Sequence, residues 1–171
     1  MKGITVNGEV FYIKSLGAND EGDLQDLCER CYEFAILTEG RMPASNAGYD
    51  ILNDLPPGKD MEDKLVLGVY GNELLIGVVE MVRDYKVPGE WIIGLLLIDP
   101  DRRGISLGSA IHDYIREYVS LNGGSILRIG VIEENIKGMN FWKKLGYQEV
   151  ERKEQSFGNK EHTVIVMNLR I

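Results

Sequence analysis

The sequence predicts one α/β domain in which strand-like apolar runs alternate with amphipathic helical segments. Three observations carry this. The runs LVLGVY (65–70), LLIGVVEMVR (74–83), WIIGLLLI (91–98) and SILRIGVI (125–132) are rich in β-branched and aliphatic residues and are bounded by turn residues. Stretches near 20–37, 107–119 and 135–145 instead repeat their apolar residues at helical spacing. The 171 residues, 44% hydrophobic and 27% charged, suit a single core without repeats or linkers.

Taken in order, EVFYIKS at 9–15 reads as the first strand. Asn19 or Asp20 then caps a helix to about Leu37, with Leu24, Leu27, Cys28, Cys31 and Phe34 on its apolar face. From 38 to 64 the periodicity fades around Pro43, Pro56 and Pro57, leaving an irregular stretch with room for a short helix near Tyr49–Leu52. Long irregular stretches inside compact domains are often binding surfaces. The runs 65–70 and 74–83 form a hairpin through Gly71 and Asn72, and the apolar run 91–98 is a strand covered on both faces. After Asp99-Pro100 a helix opens, turns Leu107, Ile111, Ile115 and Val119 inward, and stops at Asn122-Gly123-Gly124. A strand at 125–132 and a helix at 135–145 closed by Gly146 follow. The remainder reads as a short strand at 147–150, a charged turn at 151–162 and a last strand at 163–169.

Charge and composition narrow the function. The formal net charge of −8 offers no basic stripe for a nucleic acid, whereas a cationic small molecule would be attracted. No apolar run reaches the roughly 18 residues of a membrane span, and the start of the chain lacks a signal-peptide core, so a cytoplasmic protein is expected. Cys28 and Cys31 form a C-x-x-C, but no second pair completes four zinc ligands; both are expected as reduced core thiols and no metal is expected.

The junction after the 91–98 strand is where chemistry concentrates. Arg103, Gly104, Ile105, Ser106, Leu107, Gly108 and Ser109 place small residues where a strand turns into a helix. Small residues let a ligand approach backbone N–H groups, and a helix's first turn offers free donors and the positive end of its dipole. Such a turn suits a phosphate. The spacing matches neither the nucleoside-triphosphate loop nor the dinucleotide fingerprint, and the two glycines could also serve tight packing alone.

The string IDPDRRGISLGSAIHDYI resembles the acyl-CoA signature of the GNAT superfamily of N-acyltransferases, Gln/Arg-x-x-Gly-x-Gly/Ala after a strand. Arg103 fills the first position and Gly108 the last, while Ser106 replaces the middle glycine. A second family segment is similar to Asn135-x-x-Gly138-x-x-Phe141-Trp142-x-x-x-Gly146-Tyr147. The two lie in the family's order, and the resemblance covers about 65–150 in motif.

That resemblance implies a mixed sheet of about seven strands, flanked by helices and splayed between the strands at 91–98 and 125–132. The pantetheine arm of acetyl-CoA, or of another acyl-CoA, would enter the gap and pair with the main chain of Leu96, Leu97 and Ile98. The diphosphate would rest on the N–H groups from Arg103 to Ser109, with Asn135 reaching the arm and Trp142 bordering it. Trp142 stands where many members carry a tyrosine that protonates the leaving thiolate, an office tryptophan cannot fill. Backbone N–H groups near Leu97 would stabilise the developing oxyanion.

Amide formation also requires the acceptor amine to lose a proton. Glu80, which interrupts an apolar run, and Glu90 are the acids nearest the expected centre, and each could equally be a solvated strand charge. Glu133, Glu134, His112 and His162 are weaker candidates. The irregular 38–64 stretch and the 151–162 turn would build the acceptor pocket. The acidic surplus of the 38–64 stretch suits a primary amine such as a polyamine, an aminoglycoside, a lysine or a peptide amino terminus. The leading reading is thus an acetyl-CoA-dependent N-acetyltransferase that transfers directly within a ternary complex. Alternatives are a non-catalytic acyl-CoA-binding module and a homodimer formed through the edge of the last strand.

Overall fold

The computed structural model describes residues 1–171. Its strands are β1 (Lys2–Val6), β2 (Glu9–Ser15), β3 (Lys64–Gly71), β4 (Leu74–Val82), β5 (Glu90–Ile98), β6 (Ile126–Ile132), β7 (Gln148–Phe157) and β8 (Lys160–Arg170). Its helices are α1 (Glu21–Arg30), α2 (Tyr32–Glu39), α3 (Ala47–Asn53), α4 (Leu107–Leu121) and α5 (Ile136–Lys144). The strands form one sheet in the order β1-β2-β3-β4-β5-β6-β8-β7. Every neighbouring pair is antiparallel except β5 and β6, which run parallel and are linked through α4.

The eighth strand is β1, which the residue pattern does not predict. Asn7 and Gly8 both take positive φ, the geometry of a tight hairpin turn, and bring Val6 opposite Glu9. The β3–β4 turn likewise sits at Asn72 and Glu73, both with positive φ, one residue later than expected.

Two further expectations are corrected. The single helix over 20–37 is two, because Cys31 leaves helical geometry at φ −93° and ψ 26° while the apolar repeat continues across the break. The charged turn over 151–162 is the continuation of β7 and β8 through a turn at Gly158 and Asn159. Charge does not prevent a strand here, since β7 is exposed along nearly its whole length. The sheet's edges are therefore β1 and β7, and β8 lies between β6 and β7, so the last strand offers no open edge.

The helices divide between the two faces. On one, α4 buries Leu107, Ile111, Ile115 and Val119 in a cluster with Val79, Met81, Ile93 and Ile129 of the sheet. Each such side chain contributes about 1.5–3 kcal/mol of burial. On the other face α1 and α3 bury Leu24, Leu27 and Leu52 against Val66, Val78 and Leu97. The alternation along β5 serves both: Leu97 faces the α1 side, while Leu96 and Ile98 pack toward α4.

Candidate active site

The parallel pairing of β5 with β6 runs only from Glu90 opposite Ile126 to Ile93 opposite Ile129. Beyond it β5 continues to Ile98 on β4 alone, and β6 continues to Ile132 on β8 alone. The sheet therefore opens in its middle. The Asp99 amide donates to the Ile76 carbonyl at 2.8 Å. With Val78 opposite Leu97 and Glu80 opposite Leu95, alternation turns the main chain of Leu95 and Leu97 toward β4. Leu96 and Ile98 consequently turn their amides and carbonyls toward the opening. This corrects the placement of donors: the amide facing the gap is that of Leu96, and Leu97 contributes its side chain instead.

Past β5 the chain makes a short 3₁₀ turn at Pro100–Arg102, held by Asp99, whose Oδ1 accepts from the Asp101 amide at 3.0 Å. Asp99 is buried and takes Arg30 Nε on Oδ2 at 2.6 Å, and Arg30 also donates to the Leu75 carbonyl. This pins the end of α1 to the start of the loop. Burial raises and the Arg30 and Asp101 hydrogen bonds lower the Asp99 carboxyl, with a net shift below its ordinary range.

The loop from Arg103 to Ser109 ends in the first turn of α4, which contains no acidic residue. Gly104 has φ +76° and Ser106 has φ +67°. Ser106 thus adopts the left-handed conformation for which glycine, the residue it replaces, is suited. Gly108 faces inward: a Cβ there would stand 3.1 Å from Phe141 Cε2 and 3.3 Å from Ile98 Cδ1. Arg103 folds back over the end of β5. Its Nε donates to the Ile98 carbonyl at 2.7 Å, its Nη1 pairs with Glu33, and Nη2 lies 3.7 Å from Cys31 Sγ.

On the α1 face lies a cavity of about 420 Å³, floored by β4 and β5 and walled by α1, α2, α3 and the stretch between them. Glu80, Leu95 and Leu97 form the floor. Glu80 Oε1 accepts from Lys64 Nζ at 2.9 Å, with the two side chains 14% and 3% exposed. Lys64 also donates to the Asp54 carbonyl. Glu80 Oε2 occupies the space that a side chain on Gly94 would fill. That space exists because β5 bulges there: Glu80 is opposite Leu95 and Met81 opposite Ile93, with Gly94 left over.

Of the predicted acids, the structure brings Glu80 alone into the cavity. Glu90 is buried at the closed end of the sheet, its Oε2 3.7 Å from Arg128 Nη1, and Arg128 pairs in turn with Glu151 at 3.0 Å. Asn135 caps α5, its Oδ1 accepting from the Gly138 amide at 2.9 Å, which leaves its amide nitrogen for a ligand. Trp142 is buried in an aromatic cluster with His112, Phe141 and Tyr147.

The histidines are structural. His112 Nε2 meets the Tyr147 hydroxyl at 3.0 Å, and burial pushes its pKa down to about 4. His162 bridges the Thr38 carbonyl at 2.7 Å and Glu134 at 3.2 Å, tying the β7–β8 hairpin to the end of α2 at the cavity rim. Both cysteines are buried free thiols. Burial raises Cys28 to about 11 and also raises Cys31, which Arg103 only partly offsets, so both hold their protons.

Sequence reasoning missed Lys64 and Gly94. The glycine was open to detection, since an isolated glycine in a strand run signals a bulge. Nothing in the sequence links Lys64 to Glu80 before the register of β3 on β4 is known.

The family described as Acetyltransferase (GNAT) domain matches residues 45–169. An N-acetyltransferase of Methanocaldococcus jannaschii, described as uncharacterized, is 36% identical over 56 residues, which is 33% of this chain. That match spans only 25% of the relative's own length. The GNAT domain of S. lividans PAT superposes with a TM-score of 0.76 at 14% identity, covering 99% of this chain and 96% of that one. The PaiA N-acetyltransferase of Thermoplasma acidophilum, solved with coenzyme A, gives 0.67 at 17% identity over 94% and 99% of the two chains. At these identities the structures share the fold.

Proposed function

The chain belongs to the GNAT acetyltransferase family and is an acyltransferase, and we propose that it moves the acetyl group of acetyl-CoA onto a primary amine held in the cavity over Glu80. The observation that carries the reading is the opening between β5 and β6 directly beside an acid-free helix N-terminus.

The residues present fit an acyl-CoA. The opening leaves the Leu96 and Ile98 main chain without a strand partner on one side, which an extended amide-bearing arm would satisfy. The N–H groups of Leu107, Gly108 and Ser109 begin α4, and the turn from Arg103 through Ser106 aims them outward, a setting for a diphosphate. Arg103 would exchange its hold on the Ile98 carbonyl for the ligand. When bound, acetyl-CoA supplies an activated thioester carbonyl.

The chain's own residues supply the rest. The Leu96 amide is oriented to donate to the acyl oxygen as negative charge develops there. Glu80 Oε2, open above Gly94, accepts a hydrogen bond from the amine and receives its proton, while Lys64 holds Oε1 and fixes the carboxylate's plane. Leu95 and Leu97 set an apolar surface beside Glu80, which strengthens both interactions. With Trp142 buried, solvent protonates the departing thiolate, which is already a fair leaving group at a thiol pKa of about 8.5.

Two measurements test this. Calorimetric titration with acetyl-CoA at neutral pH is expected to show saturable uptake at one site. A thiol-release screen over polyamines, aminoglycosides, amino acids, peptides and simple amines is expected to find turnover. Saturable uptake without thiol release from any amine would instead favour a binding module.

A further inference from the structure

We propose that the acceptor is a small lipophilic primary amine, a monocation with a compact apolar body and no carboxylate on the amine-bearing carbon. This rests on the acetyl-transfer reading above and narrows it to a substrate class. The cavity of about 420 Å³ has the size of a small-molecule site. Part of its lining is apolar: Phe34 and Ala35 of α2, Ala47 and Ile51 of α3, and Leu55 join the Leu95 and Leu97 floor.

Walls of this kind select against polar bodies. A hydroxyl or inner amine pressed against Phe34, Ile51 and Leu55 would lose water with no partner on that side of the cavity, at about 1–3 kcal/mol per group. An aromatic or branched aliphatic body gains from the same contact.

Charge sets the other half of the specificity. Four carboxylates border the cavity, Glu39, Asp50, Asp54 and Glu80, against the two cations Arg41 and Lys64. Lys64 is committed to Glu80 and the Asp54 carbonyl, and Arg41 pairs with Glu39 at 3.0 Å. Lys64 is therefore not free to receive a substrate carboxylate, and Arg41, half exposed with its Nε held by Glu39, leaves the carboxylates in excess. An amino acid would thus bring its carboxylate into a net negative site, whereas the corresponding decarboxylated amine would meet attraction alone.

The test is thiol release from acetyl-CoA with the full chain and a matched panel: 2-phenylethylamine, phenylalanine, spermidine, kanamycin and an alanyl peptide amide. Products are identified by mass. The expected result is a kcat/KM for 2-phenylethylamine at least tenfold above every other member. Equal or better turnover of any other member overturns the lipophilic-amine assignment while leaving acetyl transfer intact. Absence of turnover throughout overturns it too, and calorimetry with acetyl-CoA on the same preparation then shows whether the transferase reading has fallen with it. A second variant separates wall chemistry from fold. Leu55→Asp, on a half-buried loop position, is expected to cut the preference for 2-phenylethylamine over spermidine at least tenfold, and an unchanged ratio counts against the proposal.

Discussion

Glu80 rests one of its carboxylate oxygens in the space left by Gly94, two strand residues brought together because β5 bulges where it faces β4. The bulge does two things at once. It gives an acid a place beside Leu95 and Leu97 on the cavity floor, and it falls where β5 parts from β6. The acid and the opening of the sheet therefore meet at one irregularity in the backbone.

Gly94→Ala puts a methyl group where Glu80 Oε2 lies and forces the carboxylate aside. A displacement of about 1 Å can cost a hundredfold in rate, so kcat/KM is expected to fall by about tenfold or more. Affinity for acetyl-CoA, measured by calorimetry, is expected to stay the same. An unaltered kcat/KM would remove Glu80 from the reaction.

Glu80→Gln tests the same carboxylate through stability as well. It leaves the Lys64 ammonium, 3% exposed, without its counter-charge. Stranding one member of a buried pair costs about 3–5 kcal/mol, which urea unfolding reads directly. Adding Lys64→Met is expected to restore most of that stability but none of the activity. Recovery of turnover in the double variant would show that the pair is architectural only.

Ser106 carries a conformational penalty that a glycine at the same position would escape. A non-glycine residue in the left-handed region costs roughly 1–2 kcal/mol, and the Ser106 side chain makes no capping hydrogen bond in return. Ser106→Gly is therefore expected to stabilise the protein by about 1 kcal/mol, a rise in Tm of about 2–4 °C for a domain of this size, and to keep acetyl-CoA affinity. A loss of stability would mean that the hydroxyl has a partner after all.

Gly108 tests the diphosphate site, though not without strain. Any side chain there crowds Phe141 and Ile98, so Gly108→Ala is the necessary control and is expected to lower stability modestly. Gly108→Glu adds a negative charge to a first turn that has none and is expected to weaken acetyl-CoA binding by about a further hundredfold relative to the alanine variant. Equal affinities in the two variants would move the diphosphate elsewhere.

The sequence shows much of this site because its signals are local. The strand-loop-helix junction at 98–109 and the acid interrupting the 74–83 run each declare themselves within a few residues, and Asn135 enters through the second family segment. The missed parts depend on register or on exposure. Lys64 meets Glu80 because Lys64 is opposite Val82 in the hairpin, and Glu90 leaves the site because β5 carries it to the closed end of the sheet. The break at Cys31 is invisible to periodicity, since the apolar face continues through it. The strand β7 is hidden by its charges, which signal a turn only when a face must be buried. The Asn7-Gly8 pair is a legible hairpin signal, but the strand before it is too short to declare itself by alternation.

His112 links the core to pH. Burial lowers its pKa to about 4, whereas an unfolded chain restores about 6.5. Between those values the unfolded state binds the proton and the folded state does not, so stability falls as pH drops from about 6.5 toward 4. At pH 5 the loss amounts to about 2 kcal/mol relative to pH 7 and above. The shifted Asp99 carboxyl acts at lower pH: its folded-state value lies below the ordinary one, so its contribution is kept until pH falls under about 4. The two effects therefore separate. His112→Gln keeps a group able to meet the Tyr147 hydroxyl but has no proton to take up, and it is expected to flatten the stability profile between pH 7 and pH 5 in urea titrations. A variant whose stability still declines as steeply over that window would show that His112 is not the titrating group.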